Sequence, residues 1–492
     1  MRHGRWELGG AVALVLCAAV ASGCGASAPA SDTKAPKAPP HAARSNIVFV
    51  LTDDLSRDLV RFMPHVRALR RAGTHFSRYV VSDSLCCPSR SSIFTGKLPH
   101  DTGVFTNLPP DGGYGAFTSH GNEASTFATA LQRRGYRTAM MGKYLNGYDV
   151  HGPVPAGWTE WDATDAGYRE YGYTLNQNGT LVPHGHAPGD YLTDVVAARG
   201  KAFIDASAQA GKPFMLEIAS FAPHSPSTPA PRDVGTFPNA HKARGPAFDA
   251  ANRHAPSWLA GRPPLTARQQ AVIDRKFRRR VRSVQAVDDM LAGLQQRLRA
   301  NGVARDTYVV FSSDNGFHLG QHRLLAGKQT AFDHDVVVPL IVTGPGVPPG
   351  RDVGALTQNT DLAPTFQALG HAPVGRDVDG RSLVGLLHGG RVPRDWRDAA
   401  LVEHHGPDVS PGDPDKQGAQ AGNPTTYEAL RLRHATYVEY RNGEREYYDL
   451  RRDPFELRNA YGSLGTRERG RLHRRLAALE GCHGSGCSDR AR

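Results

Sequence analysis

The sequence predicts an α/β fold: a large mixed, mostly parallel sheet flanked by helices, then a smaller C-terminal antiparallel sheet with a helix. Three observations predict it. Four short apolar runs, 46–51, 136–141, 213–220 and 307–313, each lead into polar, chemically capable residues. Such runs are typical of strands buried on both faces of a parallel sheet. Segments of helical period alternate with them. After about residue 395 the pattern changes to short, closely spaced strands, with Asn442-Gly443 as a hairpin turn between two of them.

The N-terminus is read as lying outside the fold. Arg2 and Arg5 precede an apolar stretch, 8–21, that is short for a membrane-spanning helix. Ala21-Ser22-Gly23-Cys24 then resembles a bacterial lipobox, with cleavage before Cys24 and lipid on its sulfur. The reading is a signal peptide over 1–23 and a flexible Ala/Pro/Ser/Lys tether over 24–44. A large domain follows over 45–394, and a C-terminal subdomain over 395–492. The expected location is exported, anchored to the envelope through Cys24 or secreted; no other segment is long and apolar enough to cross a membrane.

Within the large domain, residues 275–298 place Phe277, Val281, Val284, Val287, Leu291, Leu294 and Leu298 on one helical stripe. Arg278 to Arg280 are read as partly on its outer face, and no nucleic-acid partner is inferred from them. Residues 225–268 carry much Pro, Ala, His and Arg with little periodicity and read as a long surface insertion. Residues 336–342 read as another buried strand. In the C-terminal part, 427–432, 435–440 and 446–450 read as strands and 467–479 as a helix. The net charge of +12 over 492 residues favours an anionic partner or reflects a solvated basic surface.

Of the six cysteines, Cys17 leaves with the signal and Cys24 is the anchor. Export implies an oxidising compartment, so a small-loop Cys482–Cys487 disulfide is expected. A metal site at His483 lacks a second ligand pair nearby in the sequence. The remaining pair opens Cys86-Cys87-Pro88-Ser89-Arg90, followed by Ser91-Ser92-Ile93-Phe94-Thr95-Gly96. A helix is expected from Ser89, with Cys86 just ahead of its free N–H groups. Those groups favour an anion and would also activate a thiolate. Read alone, the pair admits a thiolate nucleophile, a disulfide or a metal-ligand pair. A thiol enzyme needs a histidine base, and nothing in the local sequence supplies one.

In parallel sheets ligands sit beyond the carboxyl ends of the strands. Asp53-Asp54, Gly142-Lys143, His224 and Asp314-Asn315 follow the four apolar runs, so they converge on one sheet edge. Asp53, Asp54, Asp314 and Asn315 offer hard oxygen ligands, which select Ca²⁺ or Mg²⁺ over zinc.

The ordered blocks resemble the formylglycine-dependent sulfatases of the alkaline phosphatase superfamily, nearest to the N-acetylglucosamine-6-sulfatase-like branch. They are Val50-Leu51-Thr52-Asp53-Asp54, the C-x-P-S-R-x-x-x-x-T-G stretch, Gly142-Lys143-Tyr144-Leu145-Asn146, Ala222-Pro223-His224-Ser225-Pro226, Ser313-Asp314-Asn315-Gly316-Phe317-His318, Gly327-Lys328, and Tyr448-Asp449-Leu450 with Asp453-Pro454. The resemblance implies an alkaline phosphatase-like fold and a sulfuric ester hydrolase acting on a sulfated small molecule or glycan. It implies that a formylglycine-generating enzyme converts Cys86 to an aldehyde, which hydrates to a diol, binds one Ca²⁺ and attacks sulfur. Arg90, Lys143 and Lys328 would then neutralise sulfate and diol oxygens. His224, with Lys328, would serve the leaving oxygen. His318 is assigned a catalytic or substrate role, and His100 a place in the pocket wall. The sequence departs from the commoner family pattern at Leu145, where many members carry a histidine base; Asn146 or His318 is the candidate replacement. Two rivals remain: a phosphomonoester or phosphonate monoester hydrolase of the same superfamily, and a non-catalytic exported glycan- or anion-binding protein.

Overall fold

The computed structural model describes residues 44–408 and 410–492. The signal peptide, Cys17, the Cys24 anchor and the tether up to residue 43 lie outside the described residues. Among the described residues fourteen strands build two sheets. The large sheet holds β1 (Asn46–Thr52), β2 (Thr74–Val80), β3 (Arg137–Lys143), β4 (Glu160–Thr164), β5 (Tyr173–Gln177), β6 (Thr180–His184), β7 (Phe214–Ala219), β8 (Thr307–Ser313), β9 (Leu340–Thr343) and β10 (Arg351–Gln358). The C-terminal sheet holds β11 (Ala399–His404), β12 (Tyr427–Leu432), β13 (Ala435–Tyr440) and β14 (Arg445–Asp449), all antiparallel.

The order in the large sheet is β10-β2-β9-β8-β1-β7-β3-β4-β5-β6. Its centre, β8-β1-β7-β3-β4, is parallel throughout. The four expected strands are therefore adjacent, and their carboxyl ends form one edge. β1 shows why the runs are continuously apolar. Ile47, Phe49 and Leu51 enter the core on one face, and Val48 and Val50 enter the core on the other. Helix Ala267–Ala300 packs on the second face through Phe277, Val281, Val284, Leu291 and Leu294. It is longer than its apolar stripe suggested, because Thr266 and Gln269 form a capping box that starts the helix at Ala267, ahead of 275. Helix Cys86–Thr95 packs on the first face with Phe366 and Phe127.

Phe366 is fully buried, with ring centroids 5.2 Å from those of Phe49 and Phe127. Phe366→Ala is expected to cost about 3–5 kcal/mol, read as a lowered denaturant midpoint.

The C-terminal sheet lies between two layers. Ala400, Val402, Ala429 and Val438 join the main core, while Leu401, Leu430 and Tyr437 pack on Leu472, Leu476 and Leu479 of helix Thr466–Glu480. The Cys482–Cys487 disulfide is present. Among the described residues no helix is long and apolar enough to cross a membrane.

Two expectations change. The strand read over 336–342 is only Leu340–Thr343, and Val336 instead ends a short helix, Asp333–Val336. Pro339 has no N–H for a ladder, so the segment splits into an isolated bridge of Val337 with Val80 before it and the strand after it. Arg280 is not on the outer face of its helix. It is 2% exposed and donates to the carbonyls of Pro223 and Asp54.

Candidate active site

Most of the candidate side chains are delivered by a strand end or by one helix, and Lys328 by a loop. Asp53 and Asp54 follow β1, Asp314 and Asn315 follow β8, and His224 follows β7 by a short loop. Lys143 is the last residue of β3. Gly142 before it has φ 97°, and a Cβ there would come within 2.1 Å of the Ala219 carbonyl oxygen. Only glycine lets β3 pass β7 so closely while aiming Lys143 inward. Cys86 and Arg90 are on helix Cys86–Thr95, every residue of which is buried. The helix stops at Gly96, φ 76°, whose N–H donates to the Ser92 carbonyl.

Ligand atoms of Asp53, Asp54, Cys86 and Asp314 lie within 4.8 Å of one another, all buried. Cys86 Sγ is 3.2 Å from Asp53 Oδ1. Asn315 Nδ2 donates to Asp54 Oδ1 at 2.7 Å, while its Oδ1 is buried with no hydrogen-bond partner. A buried orphan acceptor beside three carboxylates is what a hard cation would satisfy. The donor set fits calcium or magnesium: Asp53, Asp54, Asp314 and Asn315 would hold the ion, together with an oxygen at position 86.

Cations ring this cluster. Lys143 pairs with Asp53. Lys328 Nζ is 2.6 Å from Asp54 Oδ1, 2.9 Å from Cys86 Sγ and 2.8 Å from Asp415 Oδ1. Arg90 Nε donates to Asp314 Oδ2 at 2.8 Å and its Nη1 to the Lys143 carbonyl at 2.8 Å. Burial alone would push Asp53 up, but Lys143, His224, Arg90 and Lys328 outweigh it and hold its carboxyl well below the usual range. Burial, then Asp415 and Asp53, push the Cys86 thiol far up. An unmodified Cys86 is thus a protonated thiol, which argues against a thiolate nucleophile.

His224 Nε2 is 2.6 Å from Asp415 Oδ1 and Nδ1 is 2.7 Å from the Ser225 carbonyl. Both partners accept only, so the ring donates from both nitrogens. Burial opposes this charge, but Asp415, Asp53 and Asp54 hold the imidazolium above its ordinary range. His224, Asp54 and Asp415 line a cleft with Lys276 and Lys416. Lys143, Leu145, Asn146 and Tyr168 line an adjoining one.

The sulfatase family model matches residues 45–372 of this chain. The chain belongs to the sulfatase family. It is a sulfuric ester hydrolase. The N-sulphoglucosamine sulphohydrolase C-terminal family model matches this sulfatase over residues 320–481. The N-acetylglucosamine-6-sulfatase of Capra hircus is 35% identical over 479 residues, covering 90% of this chain and 85% of the relative. That of Homo sapiens is 34% identical, covering 90% and 86%. Among solved structures, one described as a complex with its substrate D-glucosamine-2-N,6-O-disulfate aligns with TM-score 0.76 at 22% identity, covering 89% of this chain and 97% of that one. A phosphonate monoester hydrolase from Silicibacter pomeroyi aligns with TM-score 0.69 at 23%, covering 90% and 96%. Both structures share the fold of this sulfatase.

The fold brings together Cys86, Arg90, Lys143, His224, Lys328, Asp53, Asp54, Asp314 and Asn315 of the residues expected from the sequence. Two histidines fall elsewhere in role. His318 has Nδ1 on Asp335 and Nε2 on the Ala421 carbonyl at 2.7 Å, and its backbone pairs with Gly327. Both ring nitrogens are engaged, so the His318 side chain ties Asp335 to the Ala421 carbonyl while its backbone pairs with Gly327. His100 does not line the cleft: its nitrogens meet Glu403 and the Cys482 carbonyl. Leu145 is buried in the core, and Asn146 keeps a buried Oδ1 without a partner. Sequence reasoning missed Asp415 and Arg280. Asp415 comes from a loop without periodicity, where no signal marks it. Arg280 was hidden in an Arg run, although it falls one position before Val281 on the buried stripe.

Proposed function

We propose that this enzyme hydrolyses a sulfate monoester on a sugar, with formylglycine at position 86 and one calcium ion, and that it is exported and held to the envelope by lipid on Cys24. The observation that carries the chemistry is Cys86 itself. Its Sγ lies against Asp53 and Lys328, near the orphan Asn315 Oδ1, surroundings that support an oxygen nucleophile at this position. The N-acetylglucosamine-6-sulfatase relatives support a sugar substrate. A formylglycine hydrate at position 86 would supply two hydroxyls on one carbon, an oxygen nucleophile and a second hydroxyl able to release sulfate without an outside water. Calcium, when bound, supplies Lewis-acid polarisation of a sulfate oxygen.

The chain's own residues do the rest. Lys143 and Lys328 stay ammonium: burial opposes their charge, but Asp53 for Lys143 and Asp415 with Asp54 for Lys328 raise both. They present fixed positive charge to the delocalised charge of the ester. Arg90 locks Asp314 and the end of β3 together. His224 holds a proton at Nε2, facing the cleft, for the leaving alcohol oxygen. Asp415 shares His224 and Lys328, so a bound ester must displace or share those contacts.

His224→Ala is expected to lower kcat by about 10²–10⁴-fold on a sugar sulfate, and by much less on 4-nitrophenyl sulfate, whose leaving group needs no proton. The acid form of His224 is the active one, so wild-type activity on the sugar ester is present below its raised pKa and falls as pH rises through it. The variant loses that limb. Equal losses on both substrates, with the limb retained, would remove His224 from the acid role. Turnover of a phosphonate monoester in preference to every sulfate ester would overturn the proposed reaction.

A further inference from the structure

A second cluster of metal-competent side chains is separate from the acid cluster of the cleft. It forms where the C-terminal tail meets the body. The short helix Pro99–Thr102, just after the Gly96 stop of the nucleophile helix, carries His100 and Asp101. The tail brings His483 against them from 382 positions along the chain. One ligand atom each from His100, Asp101 and His483 lie within 4.8 Å of one another. His483 Nδ1 hydrogen-bonds Asp101 Oδ1, and His100 Nε2 is 4.0 Å from the same oxygen. The second ligand pair that His483 lacks in sequence is supplied by the fold.

We propose that His100, Asp101 and His483 form a second cation site, for a zinc-class divalent ion, that ties the tail to the turn after the nucleophile helix. Two imidazoles and one carboxylate suit zinc, cobalt, nickel or copper, and are a poor set for calcium. His100 Nδ1 lies 2.8 Å from Glu403 Oε1. A carboxylate behind a ligating histidine fixes its ring and strengthens it as a ligand. The side chain of His483 is 75% exposed and those of His100 and Asp101 are 13% and 14% exposed. The site therefore has an open side, through which an ion enters and water completes the coordination. The Cys482–Cys487 disulfide closes the loop that presents His483. Binding exchanges the contacts of His100 Nε2 with the Cys482 carbonyl and of His483 Nδ1 with Asp101 for the ion, the proton on each ligating nitrogen being released to solvent.

The test titrates Zn²⁺ into calcium-loaded full-length enzyme and counts bound zinc by elemental analysis. Wild type is expected to bind one equivalent more than His483→Ala, whose truncation is at an exposed position. Co²⁺ at the same site is expected to give visible ligand-field bands that His483→Ala lacks. Glu403→Gln is expected to weaken zinc binding about 10–100-fold. Equal zinc stoichiometry in wild type and His483→Ala, with identical cobalt spectra, overturns the proposal.

Discussion

Cys86→Ala is expected to abolish sulfate ester hydrolysis, by on the order of 10⁴-fold or more, while the circular dichroism spectrum and melting curve stay close to wild type. The side chain is fully buried, and alanine removes one sulfur atom. The cavity is small and lies against carboxylates and Lys328, so water fills it at little cost. Cys86→Ser is the sharper variant. A serine hydroxyl has the attacking oxygen but no second hydroxyl on the same carbon. It is expected to stall after one turnover as a sulfate ester on residue 86, seen as the mass of one SO₃ added to that peptide. Sustained turnover by either variant would remove position 86 from the chemistry.

Chelation of the bound ion has the second large effect. Asp314 is pushed up by burial and by Asp53, which is the strain that a cation relieves. With the ion stripped, verified by elemental analysis, kcat/KM is expected to fall about 10³-fold or more, since Lewis-acid stabilisation is worth several kcal/mol. The fold survives, because Lys143, Lys328 and Arg90 still pair with Asp53, Asp54 and Asp314. The melting temperature drops and depends on calcium concentration, about 2.7 kcal/mol of stabilisation being gained at a hundredfold excess over Kd. Re-adding Ca²⁺ restores turnover. Full activity in stripped enzyme would contradict the proposed site.

The centre of the fold is legible because burial on both faces writes unbroken apolar runs. β1, β3, β7 and β8 are all of that kind, and their polar followers mark the site. The edges of the sheet are not. β5 and β6 form a hairpin whose outer strand is largely exposed, and β2 and β10 mix polar with apolar residues, so no period marks them. Lys143 is legible because it follows the apolar run 136–141. The role of Asp415 is not, since it depends on a loop folding back onto His224 and Lys328 from the far end of the chain. Arg280 shows the reverse error. Charge suggests an exposed face, whereas the Asp54 and Pro223 carbonyls give the guanidinium buried acceptors, and burial pushes its pKa down to about 10 without removing the charge at neutral pH. His100 carries a residue type suited to the site, yet the helix after Gly96 turns it toward the tail.

The central claim is that Cys86 is a precursor whose sulfur is lost before the protein acts. Mass spectrometry of the peptide containing residue 86, from active enzyme purified from its native host, tests it most directly. The account predicts an aldehyde at position 86 and an intact thiol at Cys87. An unmodified Cys86 thiol throughout a fully active preparation would contradict it.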